Sequence, residues 1–368
     1  MHILILILSL VLTVSSYAEI FSKKKLQKKI QHPPSWMLEQ IAHDLSPFSA
    51  SDLTEEKMTQ TMQAVQSVPS SGLSQLLCIS IKNNQLSWWS LTEKAGDDRL
   101  IQFINFVQEA MRIQSFPDVK FVLSLWDCFD RPLYVHPAKC PIFCVNKQRY
   151  NRKVILVPET RTYLYYGTDV WEVIKRKVRE VPWQRKKEIA FWRGNTTGGH
   201  YDYHEWDFKP RSELVLFSKY YPNLVDAKFV GDYCLEPVMK SIFQQYGLFG
   251  SHVYQADQLE YKYLLAVDGN ACSSSFKWQL FSGSAVLKQD SDFIEFYYNA
   301  LKPYVHYIPY RADCYDLEER IQWLKSHDNE TRQIADNARA FAEENLSLED
   351  MAAYYYHLLE AYSKLQSL

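Results

Sequence analysis

From about residue 117 onward, short apolar runs alternate with amphipathic stretches, a pattern that predicts an α/β layer structure. Runs at 119–125 (VKFVLSL), 154–157, 189–192, 263–267, 285–288 and 306–309 each have strand length. Between and after them, 170–180, 211–220, 274–281, 293–301, 317–325, 329–344 and 348–366 carry helical spacing. The earlier part differs. Residues 35–115 read mainly as helix, with Met58, Met62, Val65 and Val68 on one face and an amphipathic stretch at 99–114. Two short strands, 76–82 and 85–91, flank Asn83-Asn84 and form a hairpin signal. The polar stretch 21–34 reads as loosely ordered chain.

Composition sharpens this picture only in places. The chain has 368 residues, enough for two domains, and 47% hydrophobic with 23% charged residues is a globular profile. Its 25 tyrosines suit sugar stacking, but ordinary packing is the commoner use of such residues. A net charge of −2 excludes a global field for nucleic acid. The basic runs at 23–29 and 175–187 are local, and solvated helix faces are their default reading. Seven cysteines include no Cys-x-x-Cys pair. Cys140 and Cys144 are candidates for a metal site, but no His-Cys cluster completes one, and cysteine usage leaves the compartment open.

The start of the chain, HILILILSLVLTVSSYA, reads first as a cleaved secretory signal over residues 1–18. No basic residue precedes the apolar run and a lysine cluster follows it, so an uncleaved anchor holding the body on the cytoplasmic side is the alternative. The expected location is the secretory pathway or periplasm, with that anchored form second.

In open α/β sheets, ligands sit beyond the carboxyl ends of the strands. Three loops qualify. Arg193, Gly194, Asn195 and Thr197 leave one strand in a small, polar sequence that lets backbone approach a phosphate. That loop fits no Walker or dinucleotide fingerprint, and a plain turn is the competing reading. Asp268, Gly269, Ser273, Ser274, Ser275 and Lys277 form a turn running into a helix start, which suits an anion or a simple structural cap. Asp127 ends a strand where a carboxylate can act as general base, though a lone aspartate there more often caps a turn. Residue types alone do not separate group transfer from a nucleotide diphosphate from phosphoryl transfer or simple anion binding.

Four stretches carry a resemblance: AFWRGNTT at 190–197 with Arg211 and PNLVDA at 222–227; YKYL at 261–264 running into VDGN at 267–270; SGSAVLK at 282–288; and EFY at 295–297 through LKPYVHYIP at 301–309. In order and spacing the chain resembles glycosyltransferase family 90, which includes protein O-glucosyltransferases, lipopolysaccharide-modifying transferases and capsule-associated transferases. The match runs from about residue 185 to the C-terminus and is looser over 117–160.

The resemblance implies a GT-B architecture: two Rossmann-like domains facing a cleft, with closing C-terminal helices. The implied parts are residues 1–18 as signal or anchor, 19–165 as the acceptor-side domain, 166–345 as the donor-binding domain, and 346–368 as a C-terminal helix. It also implies an inverting transferase that moves a hexose or pentose, glucosyl or xylosyl foremost, from a UDP-sugar to a hydroxyl of a glycan, lipopolysaccharide or protein. No metal or other cofactor is expected; the one Asp-x-Asp string, 290–292, reads as the cap of a helix from Phe293. By resemblance Asp127 is the catalytic base, with Asp130 its substitute. Arg193 and Arg211 are donor-site arginines, Asp268 through Ser274 the donor-binding turn, and Glu295 a carboxylate for the ribose hydroxyls. Animal protein O-glucosyltransferases carry an arginine where this chain has Ser275, which puts the diphosphate charge on Arg193 or Lys277. A nucleotide- or glycan-binding protein of the same fold without turnover is the alternative. Expected partners are the nucleotide sugar, the acceptor and, through residues 1–18, a membrane; no nucleic acid is expected.

Overall fold

The computed structural model describes residues 20–66, 76–90, 98–129, 138–160 and 167–366; the 1–18 segment and Asp130 lie outside them. The chain divides into two compact units. Unit 1 takes residues 20–160, 293–299 and 347–366, and unit 2 takes 167–292 and 300–346.

Unit 1 is a mixed sheet between helices, in the order β2-β1-β3-β4-β6. Strands β1 (Leu76–Lys82) and β2 (Gln85–Trp89) form the expected hairpin. Asn83 and Asn84 both take positive φ, as a two-residue turn matched to strand twist requires. Strands β3 (Val119–Ser124), β4 (Ile142–Cys144) and β6 (Val154–Leu156) run parallel. On one face Met58 and Met62 of helix Glu55–Gln66 pack on Cys78, Val122 and Ile142. On the other, Phe143 meets Tyr362 of helix Leu348–Leu365, and Phe103 and Phe106 of helix Asp98–Ile113 meet Tyr355.

Two expectations fail here. Residues 21–34 are not loose chain: Lys23–Gln31 is a helix, fixed by buried Phe21 and Leu26. One inward leucine and one aromatic anchor suffice because lysine is itself a good helix former. Nor is 293–301 a helix. Phe293–Ile294 is strand β11, paired antiparallel with β5 (Lys147–Gln148) inside unit 1, and Tyr298–Ala300 is a 3₁₀ turn. Four consecutive buried residues, Ile294 to Tyr297, leave no polar face for a surface helix to show. The 290–292 carboxylates therefore cap no helix; Asp290 follows strand β10 (Ala285–Gln289), and its N–H donates to the Tyr310 carbonyl.

Unit 2 is a wholly parallel sheet of β7 (Lys187–Asn195), β8 (Val225–Gly231), β9 (Tyr261–Ala266), β10 (Ala285–Gln289) and β12 (Ile308–Tyr310). Its order is β12-β10-β9-β7-β8. Numbered along the unit this is the doubly wound order 2-1-3-4-5, with its switch point between β7 and β9. Alternate residues Ala190, Trp192, Ala227, Phe229, Tyr263 and Leu265 build one core with helices Pro210–Tyr220, Pro237–Gln245 and Leu317–Ser326. At the amino ends of the strands, the buried Lys186 Nζ donates to the Leu259 carbonyl and, at 2.8 Å, to Ser284 Oγ. Burial pushes this ammonium down to about 7.

No helix among the described residues is long and apolar enough to cross a membrane.

Candidate functional site

The switch point fixes where unit 2 can bind. The loops leaving β7 and β9 meet at the carboxyl edge of the sheet, and Arg211 ties them together. Pro210 at the first helical position brings Arg211 into the opening turn of its helix. Its Nη1 donates to the Asn195 carbonyl at 2.8 Å, Nε to the Asp268 carbonyl at 3.0 Å, and Nη2 to the Val267 carbonyl at 3.2 Å. Three of the five guanidinium N–H donors are thus spent on backbone. Burial lowers the Arg211 pKa, opposed by nearby Tyr201 and Asp268, yet a guanidinium stays charged.

The glycines permit this approach. A Cβ on Gly269 lies 2.6 Å from Thr197 Oγ1 and 2.7 Å from Arg211 Nη2. Gly198 takes φ +102°, and a Cβ there lies 3.2 Å from the Gly269 carbonyl oxygen. The Gly198 N–H donates to Asn270 Oδ1 at 3.1 Å, and the Thr197 carbonyl accepts from the Tyr201 hydroxyl at 2.9 Å. Burial pushes the Tyr201 phenol up to about 12, so it remains a donor. Gly194 answers a different need: its built Cβ falls 2.3 Å from the Trp192 ring, so the residue makes room for a core tryptophan.

Asp268 is the charged centre of this edge. It is buried, and its Oδ1 accepts from the Ser273 N–H at 2.9 Å and from Lys288 Nζ at 3.0 Å. Its Oδ2 is buried without a hydrogen bond. Ser273 begins a helix of only seven residues, Ser274–Leu280, and its side chain caps nothing. The anion-holding helix start expected from the serines is therefore weak, because the turn is short and the Ser273 N–H is already committed. Ser274 is exposed and Ser275 half-buried, whereas Lys277 is buried in the unit.

Arg193 stands apart from this crevice. On the sheet face opposite Trp192 it stacks on Phe191, with the guanidinium carbon 4.4 Å from the ring centroid, and pairs with Asp226 of β8 at 2.9 Å. The strand alternation that points Phe191 and Arg193 to one face also points Asp226 there, a pairing the sequence reading passed over.

In unit 1, Asp127 lies just beyond the carboxyl end of β3, lining a pocket with Arg99, Trp126, Glu159, Thr160 and Tyr355. Arg99 Nη2 sits 3.2 Å from Asp127 Oδ1, while its Nη1 donates to the Leu125 carbonyl at 2.7 Å. Asn146 Nδ2 holds the Asp127 carbonyl at 2.7 Å. Arg99 escaped the sequence reading because it opens an amphipathic helix, where a basic residue draws no notice. Glu295 is buried beside β11 in unit 1, whereas the other candidate donor-site residues are in unit 2.

Comparison with known proteins follows from these features. Human Protein O-glucosyltransferase 1 is 29% identical over 269 residues, covering 69% of this chain and 64% of that protein. Protein O-glucosyltransferase 2 of Danio rerio is 29% identical over 348 residues, covering 93% of this chain and again 64% of that protein. The chain thus spans just under two thirds of the length of these relatives. Among solved structures, Anabaena HepE in complex with UDP-glucose aligns over 65% of this chain and 79% of its own, at 10% identity and a TM-score of 0.38. The profile of Glycosyl transferase family 90 matches residues 29–368, and the chain belongs to that family.

Proposed function

We propose that this protein is an inverting glycosyltransferase that moves a glucosyl or xylosyl group from a UDP-sugar to a hydroxyl of a glycan, lipopolysaccharide or protein. Membership of family 90 across residues 29–368 carries the reading. The protein O-glucosyltransferase relatives favour a glucosyl donor and a hydroxyl acceptor. The crevice at the β7/β9 switch point supports it as a nucleotide site. There the buried Asp268 Oδ2 is an acceptor for a donor hydroxyl, and Arg211 keeps its charge and two N–H groups.

In this mechanism Asp127, oriented by Arg99, takes the proton from the acceptor hydroxyl. The oxygen attacks the anomeric carbon from the face opposite UDP, and the glycosidic bond to the diphosphate breaks with inversion. Preorganised protein cations, Arg211 first, neutralise the leaving diphosphate without a metal. The reaction takes place in the secretory pathway or periplasm; cytoplasmic action of a membrane-anchored form is the alternative. UDP release from UDP-glucose and UDP-xylose, with and without acceptor glycans, tests the proposal. Asp127→Asn should abolish transfer while leaving UDP binding intact; wild-type turnover in that variant removes Asp127 from the mechanism.

A non-catalytic binder is the second reading, favoured by the Arg193–Asp226 pair and by Ser275. It predicts UDP binding with no UDP release from any donor.

A further inference from the structure

The helix Lys23–Gln31 contains five lysines and is held firmly against unit 1. Leu26 is fully buried, Phe21 packs edge-on to Phe106 at 5.0 Å, and the Ser22 N–H donates to Glu349 at 3.0 Å. Lys29 is consumed by Asp350 at 2.7 Å. The other four lysines are exposed, and no ion pair or hydrogen bond engages their side chains among the described residues. At roughly 100° per residue, Lys24 and Lys28 each lie about 160° from Leu26 and Lys25 about 100°, whereas Lys23, about 60° from Leu26, lies on the side that packs. Three cations, Lys24, Lys25 and Lys28, are thus displayed on a rigid, outward face, with the exposed Lys23 beside it at the first helical position, in a protein whose net charge is −2. Just before this helix the sequence carries the apolar run 3–14.

We propose that this lysine face docks on the phosphate-bearing headgroups of an anionic lipid bilayer and seats unit 1 against the membrane surface. The proposal goes beyond glycosyl transfer and does not depend on it. Charge complementarity favours this partner. An array of fixed cations without neutralising carboxylates is attracted to a surface of closely spaced phosphates, and an apolar neighbouring segment suits a bilayer better than a soluble polyanion. Each lysine near such a surface contributes roughly fivefold in partitioning, so the three on this face contribute on the order of a hundredfold at low salt. Screening removes most of this at high ionic strength.

The test is vesicle flotation of the full chain. One vesicle set is phosphatidylcholine alone and the other adds about one third phosphatidylglycerol, an anionic fraction chosen to resemble natural leaflets. The comparison variant carries Lys23→Gln, Lys24→Gln, Lys25→Gln and Lys28→Gln, all at exposed positions, with its fold checked by thermal unfolding. Any insertion of residues 1–18 enters both vesicle sets and both proteins alike, so it cancels in the ratio. The expected result is a preference of about a hundredfold for the anionic vesicles, lost in the variant and in high salt. Equal binding to both vesicle types, or a preference that survives in the variant, overturns the proposal. So does lysine-dependent retention on heparin without vesicle preference, which assigns the face to a soluble polyanion.

Discussion

Replacing Lys186 by methionine tests how unit 2 tolerates a buried charge where its strands begin. Burial brings this group from 10.5 to about 7. A lysine whose folded pKa lies below its unfolded pKa binds fewer protons in the native state between those values. Stability therefore rises with pH through that window and is lowest below it. The full difference is worth about 5 kcal/mol, an upper figure because the Leu259 carbonyl and Ser284 hydroxyl partly compensate the ammonium. Between pH 7 and pH 9.5, two pH values chosen to lie inside the window, wild type should gain about 3 kcal/mol relative to Lys186→Met. At pH 7 the variant loses the penalty but leaves the carbonyl and hydroxyl unpaired at about 1–3 kcal/mol each, so it should be as stable as wild type or somewhat more so. Urea unfolding of both proteins at the two pH values measures the difference, and titrations common to both cancel. A gap between the two proteins that does not change with pH refutes the reasoning.

Arg211→Ala leaves three backbone carbonyls without their donor and should destabilise unit 2 by about 3 kcal/mol or more, read by denaturation. Arg211→Lys should recover part of that, and equal losses in the two variants would argue against the carbonyl tie. Gly269→Ala pushes a methyl into a guanidinium already fixed by three bonds, costing about 1–3 kcal/mol and weakening UDP binding measured by calorimetry; an unperturbed variant means the two loops are looser than described. Arg193→Ala should lower turnover about a hundredfold if Arg193 serves the diphosphate. Unchanged turnover with lowered stability assigns Arg193 to the Asp226 pair alone.

Four of the five strands of unit 2 were legible in the sequence as short apolar runs, whereas the edge strand β8 was not, because its burial alternates along VDAKFVG. The 76–89 hairpin was legible because Asn83 and Asn84 tolerate the left-handed turn. The helix at Lys23–Gln31 was not, since a lone buried leucine and phenylalanine leave no periodic stripe. Nor was β11, two residues long and meaningful only through its partner β5. The sequence by itself determined the α/β class, the family likeness and the residue types gathered at the strand ends. Only the tertiary structure decided their use: the 2-1-3-4-5 strand order that makes β7 and β9 the switch point, and the commitment of Arg211 to three carbonyls. It also turned Arg193 toward Asp226 and set Arg99 against Asp127. Local pattern reports which face a residue occupies, whereas these pairings join residues up to 57 positions apart and exist only once the strands are ordered side by side.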